Sequence, residues 1–282
     1  MIEDLVSAWA RDEENIRALA VVGSQARTET PADDWSDLDL VVFARNPGEL
    51  IDREDWVARF GSVRITFLED TAVGGQRERR VLYETGEDVD FAVVPAELLD
   101  RLDRPSATAL ADVTARGIRV LLDKDGSLGR ALAGLPAPEA PRPPSEQELR
   151  EVAMDFWYHA LWSARKLRRR ELFVAKQCID GDMKQRLLRV LEWQARARNP
   201  GTDTWHRGRF LEQWADPGAL EELREAYGRY DEGELGRALE ATMRLFGRLA
   251  RETDERLGLA YPVAAEEFAT GYVHRLLWPE RP

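Results

Sequence analysis

The stretch Val-Val-Gly-Ser at residues 21–24, followed by Asp-Leu-Asp-Leu-Val-Val-Phe at residues 37–43, decides how this chain folds. An apolar run over residues 18–22 stops at Gly23-Ser24, a polar loop follows, and a second apolar run begins with Asp-x-Asp. This order predicts a strand, a turn, a loop and a second strand. Because side chains two apart on a strand share a face, we expect Asp37 and Asp39 to point the same way at the start of the second strand.

The residue types in these two stretches suit phosphates and a metal ion. Two adjacent carboxylates repel each other, and a folded protein tolerates them best when a cation lies between them. Hard oxygen ligands in a small cluster suit Mg²⁺, which shares its coordination shell with water and substrate phosphates. Gly23 lets the backbone approach a ligand closely, and Ser24 adds a hydroxyl and an N–H for phosphate oxygens.

A third carboxylate is expected from the later stretch Glu-Asp-Val-Asp-Phe-Ala-Val-Val at residues 87–94. Asp88 and Asp90 share one face of this predicted strand, and Asp90 lies deeper in the apolar run. A carboxylate inside a strand is costly unless it is paired or bound to a metal. A solvated strand entrance explains any one of these acids, but Asp37, Asp39 and Asp90 together supply what metal-assisted phosphoryl transfer needs.

Composition narrows the classes of protein and partner. Of the 282 residues, 44% are hydrophobic and 33% are charged, as in a soluble globular protein. No apolar run reaches the ~20 residues of a membrane helix, and the start Met-Ile-Glu-Asp is not a basic signal sequence. We therefore expect a cytoplasmic protein without a membrane partner. The formal net charge of −12 argues against a nucleic-acid partner; it is compatible with a cationic substrate, or with solubility alone.

Cysteine and histidine usage does not point to a second kind of metal site. Cys178 is the only cysteine, which excludes an internal disulfide and a cluster of thiolates around zinc. His159, His206 and His274 show no paired spacing, so the sequence does not predict a transition metal held by histidines.

A proline-rich segment at residues 136–144 predicts a stiff linker between two domains. Residues 1–135 show the mixed patterns of an α/β domain. Residues 145–282 show helical patterns throughout, beginning with a capping box at Ser145 and Glu148. The patterns predict strands at residues 18–22, 38–44, 63–68, 80–83, 89–94 and 117–122, a flexible loop at Gly74-Gly75, and helices at residues 3–15, 49–60, 95–99, 183–197, 217–227, 234–257 and 264–277.

Gly23-Ser24, Asp37-Leu38-Asp39 and a later strand aspartate together resemble the signature of the polymerase-β-like nucleotidyltransferase superfamily. Within it, the chain is similar to the aminoglycoside 6-adenylyltransferases (streptomycin adenylyltransferases) over nearly its full length. The matching segments lie at residues 56–61, 89–91, 120–125, 151–157 leading to Lys166, 170–173, 187–193 and 256–262. The resemblance implies an N-terminal nucleotidyltransferase domain with a mixed sheet flanked by helices, and a C-terminal helical bundle domain that binds the substrate.

The chain departs from the family pattern at two places. The family's Gly-Ser-Arg-Ala is Gly-Ser-Gln-Ala-Arg here, so the phosphate-contacting arginine is either lost or moved to Arg27. The family's Arg-Ile-Asp-Leu strand is Asp-Val-Asp-Phe at residues 88–91, so the basic residue two before the metal aspartate has become acidic. The second change bears on drug specificity.

The resemblance also implies a mechanism. ATP is expected to bind along Gly23-Ser24, with Mg²⁺ bridging its triphosphate to Asp37 and Asp39. A substrate hydroxyl then attacks the α-phosphorus, and pyrophosphate leaves. Asp90 is expected to accept the hydroxyl proton, or to hold a second metal ion.

The helical domain is expected to close the cleft and to bind the acceptor. Lys166, in a basic run at residues 165–170, resembles the helix lysine that superfamily members send to the triphosphate. An aminocyclitol with guanidinium groups requires acidic and aromatic neighbours. The candidates for these contacts are Asp155, Trp157, Tyr158 and Glu171, although a tryptophan on a helix is more often part of the core.

Four functions follow from these residues. The first is adenylylation of a small cationic antibiotic, with streptomycin as the expected acceptor and a monomer as the expected state. The second keeps the chemistry but changes the acceptor to another aminoglycoside, a lincosamide or a metabolite. The third is transfer to a protein or tRNA, of which the acidic charge disfavours tRNA. The fourth, a non-catalytic nucleotide-binding module, fits poorly with the retained glycine, serine and three aspartates.

Overall fold

Residues 1–27, 29–71, 76–100, 104–137 and 141–278 are described by a computed structural model of the chain. The loop predicted at Gly74-Gly75 and residues 138–140 of the proline-rich segment lie outside these ranges. The chain divides into two compact units, Met1–Ala140 and Pro141–Pro282, and each has its own hydrophobic core. The boundary between them lies inside the proline-rich segment.

The first unit is built on a mixed sheet. Its strands are β1 (Ile16–Val22), β2 (Leu38–Ala44), β3 (Val63–Asp70), β4 (Arg77–Tyr83), β5 (Asp88–Pro95) and β6 (Arg119–Asp123). They lie in the order β3-β4-β5-β2-β1-β6, with β2 and β5 parallel and the other neighbouring strands antiparallel. Each predicted strand is present, and the predicted fold class is confirmed.

Helices and apolar side chains cover the two faces of this sheet differently. The helices of the unit are α1 (Ile2–Asp12), α2 (Gly48–Ile51), α3 (Arg104–Thr114) and α4 (Ser127–Ala133). One face packs against α1 around the aromatic rings of Trp9, Trp56, Phe60 and Phe91. The other face presents small and branched side chains that pack against a 3-10 turn, Ala96–Leu99, and against α4. Alternation along β5 therefore buries Phe91 on the first face and directs Asp90 to the second.

The single helix predicted at residues 49–60 is wrong. The structure has the short helix α2 and a separate 3-10 turn at Val57–Arg59. The indole N–H of Trp56 donates to the backbone carbonyls of Leu50, at 3.0 Å, and Arg53, at 3.1 Å. A continuing helix would use these carbonyls for its own hydrogen bonds, so the buried indole takes their place and ends the helix.

The regular secondary structure described in the second unit is all helical. Its helices are α5 (Glu146–Arg168), α6 (Leu172–Gln177), α7 (Met183–Arg198), α8 (Leu211–Trp214), α9 (Pro217–Glu225), α10 (Glu232–Leu257) and α11 (Val263–Leu277), with a π-helical turn at Cys178–Asp182. The capping box is confirmed, since the Ser145 N–H donates to the Glu148 carboxylate at 2.8 Å and the Glu148 N–H donates to the Ser145 hydroxyl at 3.2 Å. Across both units, the described helices include none that is long and apolar enough to span a bilayer.

Candidate active site

Three aspartates meet on one face of the sheet, where β2 and β5 begin. In the parallel pairing of these strands Asp39 lies opposite Asp90, and Asp37 directly precedes β2. One carboxylate oxygen from each of Asp37, Asp39 and Asp90 lies within 4.8 Å of the others. Strand pairing thus brings Asp90 beside Asp37 and Asp39, which lie about fifty residues earlier in the sequence.

The end of β1 leaves space for one of these carboxylates. Gly23 follows β1 with a φ of +66°, in the left-handed region that favours glycine. A β-carbon at this position would lie 2.0 Å from Oδ2 of Asp39, which is far shorter than any non-bonded contact. Gly23 is therefore required both by the turn and by the space that the Asp39 carboxylate occupies.

Asp90 is the most buried of the three aspartates, at 4% exposure. Its Oδ2 lies 3.2 Å from the guanidinium of Arg80, whereas its Oδ1 has no hydrogen-bond partner among the described residues. Burial raises the pKa of the Asp90 carboxyl to about 7. The Arg80 charge lowers this pKa, and the negative charges of Glu78, Asp39 and Asp88 raise it further.

This arrangement fits a divalent cation of the magnesium type. All three donors are hard carboxylate oxygens, which Mg²⁺ and Ca²⁺ prefer over softer ligands. A buried carboxylate oxygen without a partner, such as Oδ1 of Asp90, is costly and would be satisfied by a cation. A cation between the carboxylates would also reduce their mutual repulsion.

A cation that sequence reasoning missed also reaches the site. Arg80 stands opposite Asp90 in the antiparallel pairing of β4 and β5. Its guanidinium lies 2.7 Å from Glu69, 3.0 Å from Glu78 and 3.2 Å from Asp90. Arg80 therefore compensates part of the negative charge from within the sheet. Alternation along β4 could have indicated its face, but not the register that places it beside Asp90.

Ser24 and Arg27, the predicted phosphate contacts, lie in the turn and loop after β1. Ser24 is 6% exposed, and its hydroxyl donates to the backbone carbonyl of Asp37 at 3.4 Å. The Nε–H of Arg27 donates to the backbone carbonyl of Thr30. The Ser24 hydroxyl thus donates to the loop that carries Asp37. In this orientation it is not available for the phosphate contact that the sequence predicted.

A cavity of about 270 Å³ adjoins the carboxylates within the first unit. Asp39, Glu78 and Asp90 form part of its wall, and α3 contributes another part. The apolar residues that line it are Val22, Val41, Phe43, Ala92, Val94, Leu98, Leu99, Ala109, Leu110 and Val113. The carboxylates therefore face a sheltered space with mainly apolar walls, in which electrostatic interactions are stronger than in water.

In the second unit, the predicted site residues Lys166 and Glu171 pair with each other. The Lys166 ammonium lies 2.6 Å from one carboxylate oxygen of Glu171, and Arg169 lies 2.6 Å from the other. The hydrogen bond from Lys166 lowers the pKa of Glu171. In the structure, both Lys166 and Glu171 are therefore paired with neighbouring side chains.

The remaining predicted acceptor contacts have three different environments. Asp155 lies 2.7 Å from His159 and 2.6 Å from Arg186, so its carboxylate is already paired. Tyr158 is 63% exposed. Trp157 is 2% exposed, and its indole N–H donates to the Tyr261 hydroxyl at 2.8 Å. The structure therefore places Trp157 in the helical core, where its ring packs instead of facing a ligand.

A mixed sheet that carries three clustered carboxylates beside a Gly-Ser turn is the arrangement of a nucleotidyltransferase. The comparison with known families agrees with this class. The chain belongs to the streptomycin adenylyltransferase family, whose model matches residues 1–276. The family resemblance expected from the motifs is confirmed.

Curated relatives carry the name aminoglycoside 6-adenylyltransferase. The protein from Campylobacter jejuni is 21% identical over 280 residues, which cover 97% of this chain and 94% of the relative. The protein from Bacillus subtilis (strain 168) is 21% identical over 266 residues, which cover 92% of this chain and 91% of the relative. A crystal structure of an aminoglycoside 6-adenyltransferase from Bacillus subtilis covers 99% of both chains, with 18% identity and a TM-score of 0.48.

Proposed function

We propose that this protein transfers AMP from ATP to a hydroxyl of an aminoglycoside antibiotic, releases pyrophosphate and thereby gives resistance. Streptomycin, modified at its 6-position, is the acceptor we expect. The observation that carries the proposal is the cluster of Asp37, Asp39 and Asp90, whose oxygens lie within 4.8 Å of one another. Family membership and the name of the relatives support the class of acceptor.

Asp37, Asp39 and Asp90 are the residues that would hold Mg²⁺. When bound there, Mg²⁺ supplies neutralisation of the triphosphate charge and a lower pKa for a nearby hydroxyl. The proposal places the triphosphate along the turn at Gly23-Ser24, with Arg27 as a further phosphate contact. Most of the rate acceleration then comes from positioning and from compensation of charge.

Asp90 takes the proton in the proposed reaction. The acceptor oxygen forms a bond to the α-phosphorus, the bond from that phosphorus to the bridging oxygen breaks, and pyrophosphate leaves with the bonding electrons. The hydroxyl proton passes to the Asp90 carboxylate, whose Oδ2 is paired with Arg80 at 3.2 Å, while Asp37 and Asp39 would be the chief ligands of Mg²⁺. The raised pKa of Asp90, about 7, suits a group that takes up a proton near neutral pH.

The experiment that tests this function is pyrophosphate release from ATP and Mg²⁺ in the presence of different acceptors. Streptomycin is compared with spectinomycin, kanamycin, lincomycin and a reaction without acceptor. We expect release with streptomycin alone, together with a product heavier by one adenylyl group in mass spectrometry. A preparation of the Asp39→Asn variant is the matched control for contaminating enzymes.

Other outcomes separate the competing functions. Release with a different drug keeps the chemistry and changes the acceptor to the one that reacts. No pyrophosphate release with any of the drugs would overturn the resistance function. Metabolites and protein acceptors would then be tested with labelled ATP. Absence of nucleotide binding in the same preparations would instead contradict nucleotidyl transfer itself.

A further inference from the structure

A second cluster of metal-binding side chains lies in the helical unit, away from the three aspartates in the sequence. It consists of His159 on α5 and of Cys178 and Asp182, the first and last residues of the π-helical turn. One ligand atom from each of these residues lies within 4.8 Å of the others. The fold therefore joins a histidine and the single cysteine, which their spacing in the sequence keeps apart.

The ring of His159 is held on one side by Asp155. Its Nδ1 lies 2.8 Å from the backbone carbonyl of Asp155 and 2.7 Å from the Asp155 carboxylate. Both neighbours are acceptors, so Nδ1 carries the proton and the lone pair is on Nε2. A carboxylate behind a histidine is the usual support for a metal-binding imidazole. Arg186 in turn holds this carboxylate at 2.6 Å.

The cysteine and the aspartate complete a mixed donor set. Cys178 is 2% exposed, and burial raises the pKa of its thiol. A cation bound there would take the place of the thiol proton. Asp182 is exposed, so its carboxylate is accessible from the solvent. The cluster thus combines a buried soft ligand, the Cys178 sulfur, with an accessible hard one, the Asp182 carboxylate.

We propose that His159, Cys178 and Asp182 bind Zn²⁺, or a cation of the same borderline-soft chemistry, through Nε2, Sγ and a carboxylate oxygen. Thiolate and imidazole ligands select zinc over magnesium, which prefers an all-oxygen shell. The three residues leave a fourth tetrahedral position for water. Thiolate and carboxylate together balance the charge of a divalent cation.

The π-helical turn gives this site its shape. In a π turn the hydrogen bonds span five residues, one more than in an α-helix, and such turns are frequent at functional sites. Here the turn joins α6 to α7 and carries ligands at both ends. A bound metal would tie this turn to α5, and Asp155 would act as a positioning residue for His159.

Cobalt replacement of the metal tests the proposal on the full chain without any activity measurement. The protein is treated with a chelator, desalted and titrated with Co²⁺. We expect a near-ultraviolet band of thiolate-to-cobalt charge transfer that saturates at a single equivalent and disappears when Zn²⁺ is added. The three aspartates cannot produce this band, because it requires a cysteine thiolate.

Variants identify the ligands. Cys178→Ser should lose the band, and His159→Gln and Asp182→Asn should each weaken zinc binding by about tenfold or more in competition with a chromophoric chelator. His274→Gln is the matched control, since that ring lies on α11 and pairs with Glu240 at 3.0 Å. Circular dichroism shows which variants are folded, and the exposed Asp182→Asn serves if Cys178→Ser does not fold.

The opposite results would overturn the proposal. They are a parent protein without the charge-transfer band, or folded His159 and Asp182 variants that bind zinc as tightly as the parent. Because neither measurement uses ATP or an antibiotic, the outcome is independent of the proposed transferase function.

Discussion

At the scale of single residues, Asp39 and Asp90 have different surroundings although they lie opposite each other on neighbouring strands. Asp39 is partly exposed, and its carboxylate occupies the space over Gly23. Asp90 is 4% exposed. Its Oδ2 pairs with Arg80, and its Oδ1 has no hydrogen-bond partner among the described residues. In the proposed reaction these differences make Asp39 chiefly a metal ligand and Asp90 chiefly a proton acceptor.

Asp39→Asn is expected to abolish transfer while the fold is kept, because the amide has the same volume and removes a negative charge from the metal site. A lost metal ligand costs several kcal/mol in the transition state, so we expect kcat/KM to fall by at least about a hundredfold. Pyrophosphate release measures the rate, and circular dichroism controls for the fold. Activity within tenfold of the parent would refute the metal role of Asp39.

Asp90→Asn separates the two roles of the buried aspartate. If Asp90 is the base, turnover should fall by about 10²- to 10⁴-fold while binding of ATP and Mg²⁺ changes little. Equilibrium binding of a fluorescent ATP analogue is measured beside the turnover number. Loss of nucleotide binding in this variant would show that Asp90 is chiefly a metal ligand and that the base lies elsewhere.

Lys184 provides a prediction on stability rather than activity. It is 9% exposed, donates to the Ala226 carbonyl and the Thr242 hydroxyl at 2.9 and 2.8 Å, and burial lowers its pKa to about 8. The unfolded chain therefore binds more protons than the folded chain between pH 8 and the ordinary lysine pKa. It follows that the free energy of unfolding should rise with pH in this window, by at most about 1.4 kcal/mol per pH unit.

The measurement compares urea unfolding of the parent and of Lys184→Met at several pH values. The variant lacks the titrating group, so the difference between the two proteins isolates the contribution of Lys184 from that of other groups. The parent should gain stability relative to the variant as the pH rises from 8 to 10. A difference that does not change with pH would mean that Lys184 has an ordinary pKa in the folded protein.

At the scale of secondary-structure elements, the turn after β1 is the part of the fold on which the site depends most. Gly23→Ala should strain the backbone, by about 1–2 kcal/mol, and should also push the Asp39 carboxylate out of place. Gly258→Ala is a matched control, because its φ of +67° is nearly the same while a β-carbon there would meet no described atom within 4 Å.

Thermal unfolding and transfer activity distinguish the two effects. Both variants should lose a similar amount of stability, but only Gly23→Ala should lose transfer. Equal activity in the two variants would show that the contact between Gly23 and Asp39 does not constrain the site.

The strands and the long helices could be predicted because their signals are local. Alternation and apolar runs located the six strands, and 3.6-residue patterns with a capping box located the long helices of the second unit. The helix predicted at residues 49–60 failed because its end depends on the Trp56 indole, which bonds carbonyls only after Trp56 is buried against Trp9 and Phe91. The short helices α3 and α4 were missed, since packing on the sheet stabilises them more than their sequence does.

The candidate site could be predicted only as far as its residue types. Asp-x-Asp and a strand aspartate indicated three carboxylates, but the parallel pairing that sets Asp39 beside Asp90 is a property of the topology. Arg80 was missed for the same reason, because its register on β4 follows from the sheet. Trp157 was predicted as a ligand contact but lies in the core, because an aromatic residue suited to a cationic ligand is equally suited to a core.

At the scale of the whole molecule, the net charge of −12 says less about the acceptor than the pairing of individual acids. Asp155 and Glu171, which the sequence offered as contacts for a cationic drug, each lie within 2.6 Å of a basic side chain. A guanidinium group of a drug would have to compete with these partners. In the first unit, Glu78 and Asp90 share one cation, Arg80, at 3.0 and 3.2 Å, and Asp37 and Asp39 lie beside Asp90.

The division into two units leads to a prediction about folding. The core of the helical unit is formed by residues between Leu149 and Val273, and all of its described members belong to that unit. Its first helix has its own capping box, in which Arg142 also pairs with Glu148 at 2.7 Å. We therefore propose that a fragment beginning at Pro141 folds on its own.

The fragment should show a helical circular dichroism spectrum and a single cooperative urea transition, with a slope of about 1–3 kcal/mol per molar urea. The full chain is the control, and its second-unit transition should fall at a similar urea concentration if the cores are independent. A fragment that unfolds gradually, without a cooperative transition, would contradict this prediction. It would mean that the helical core needs the sheet, because the buried apolar area of the helices alone would then be too small to offset their conformational entropy.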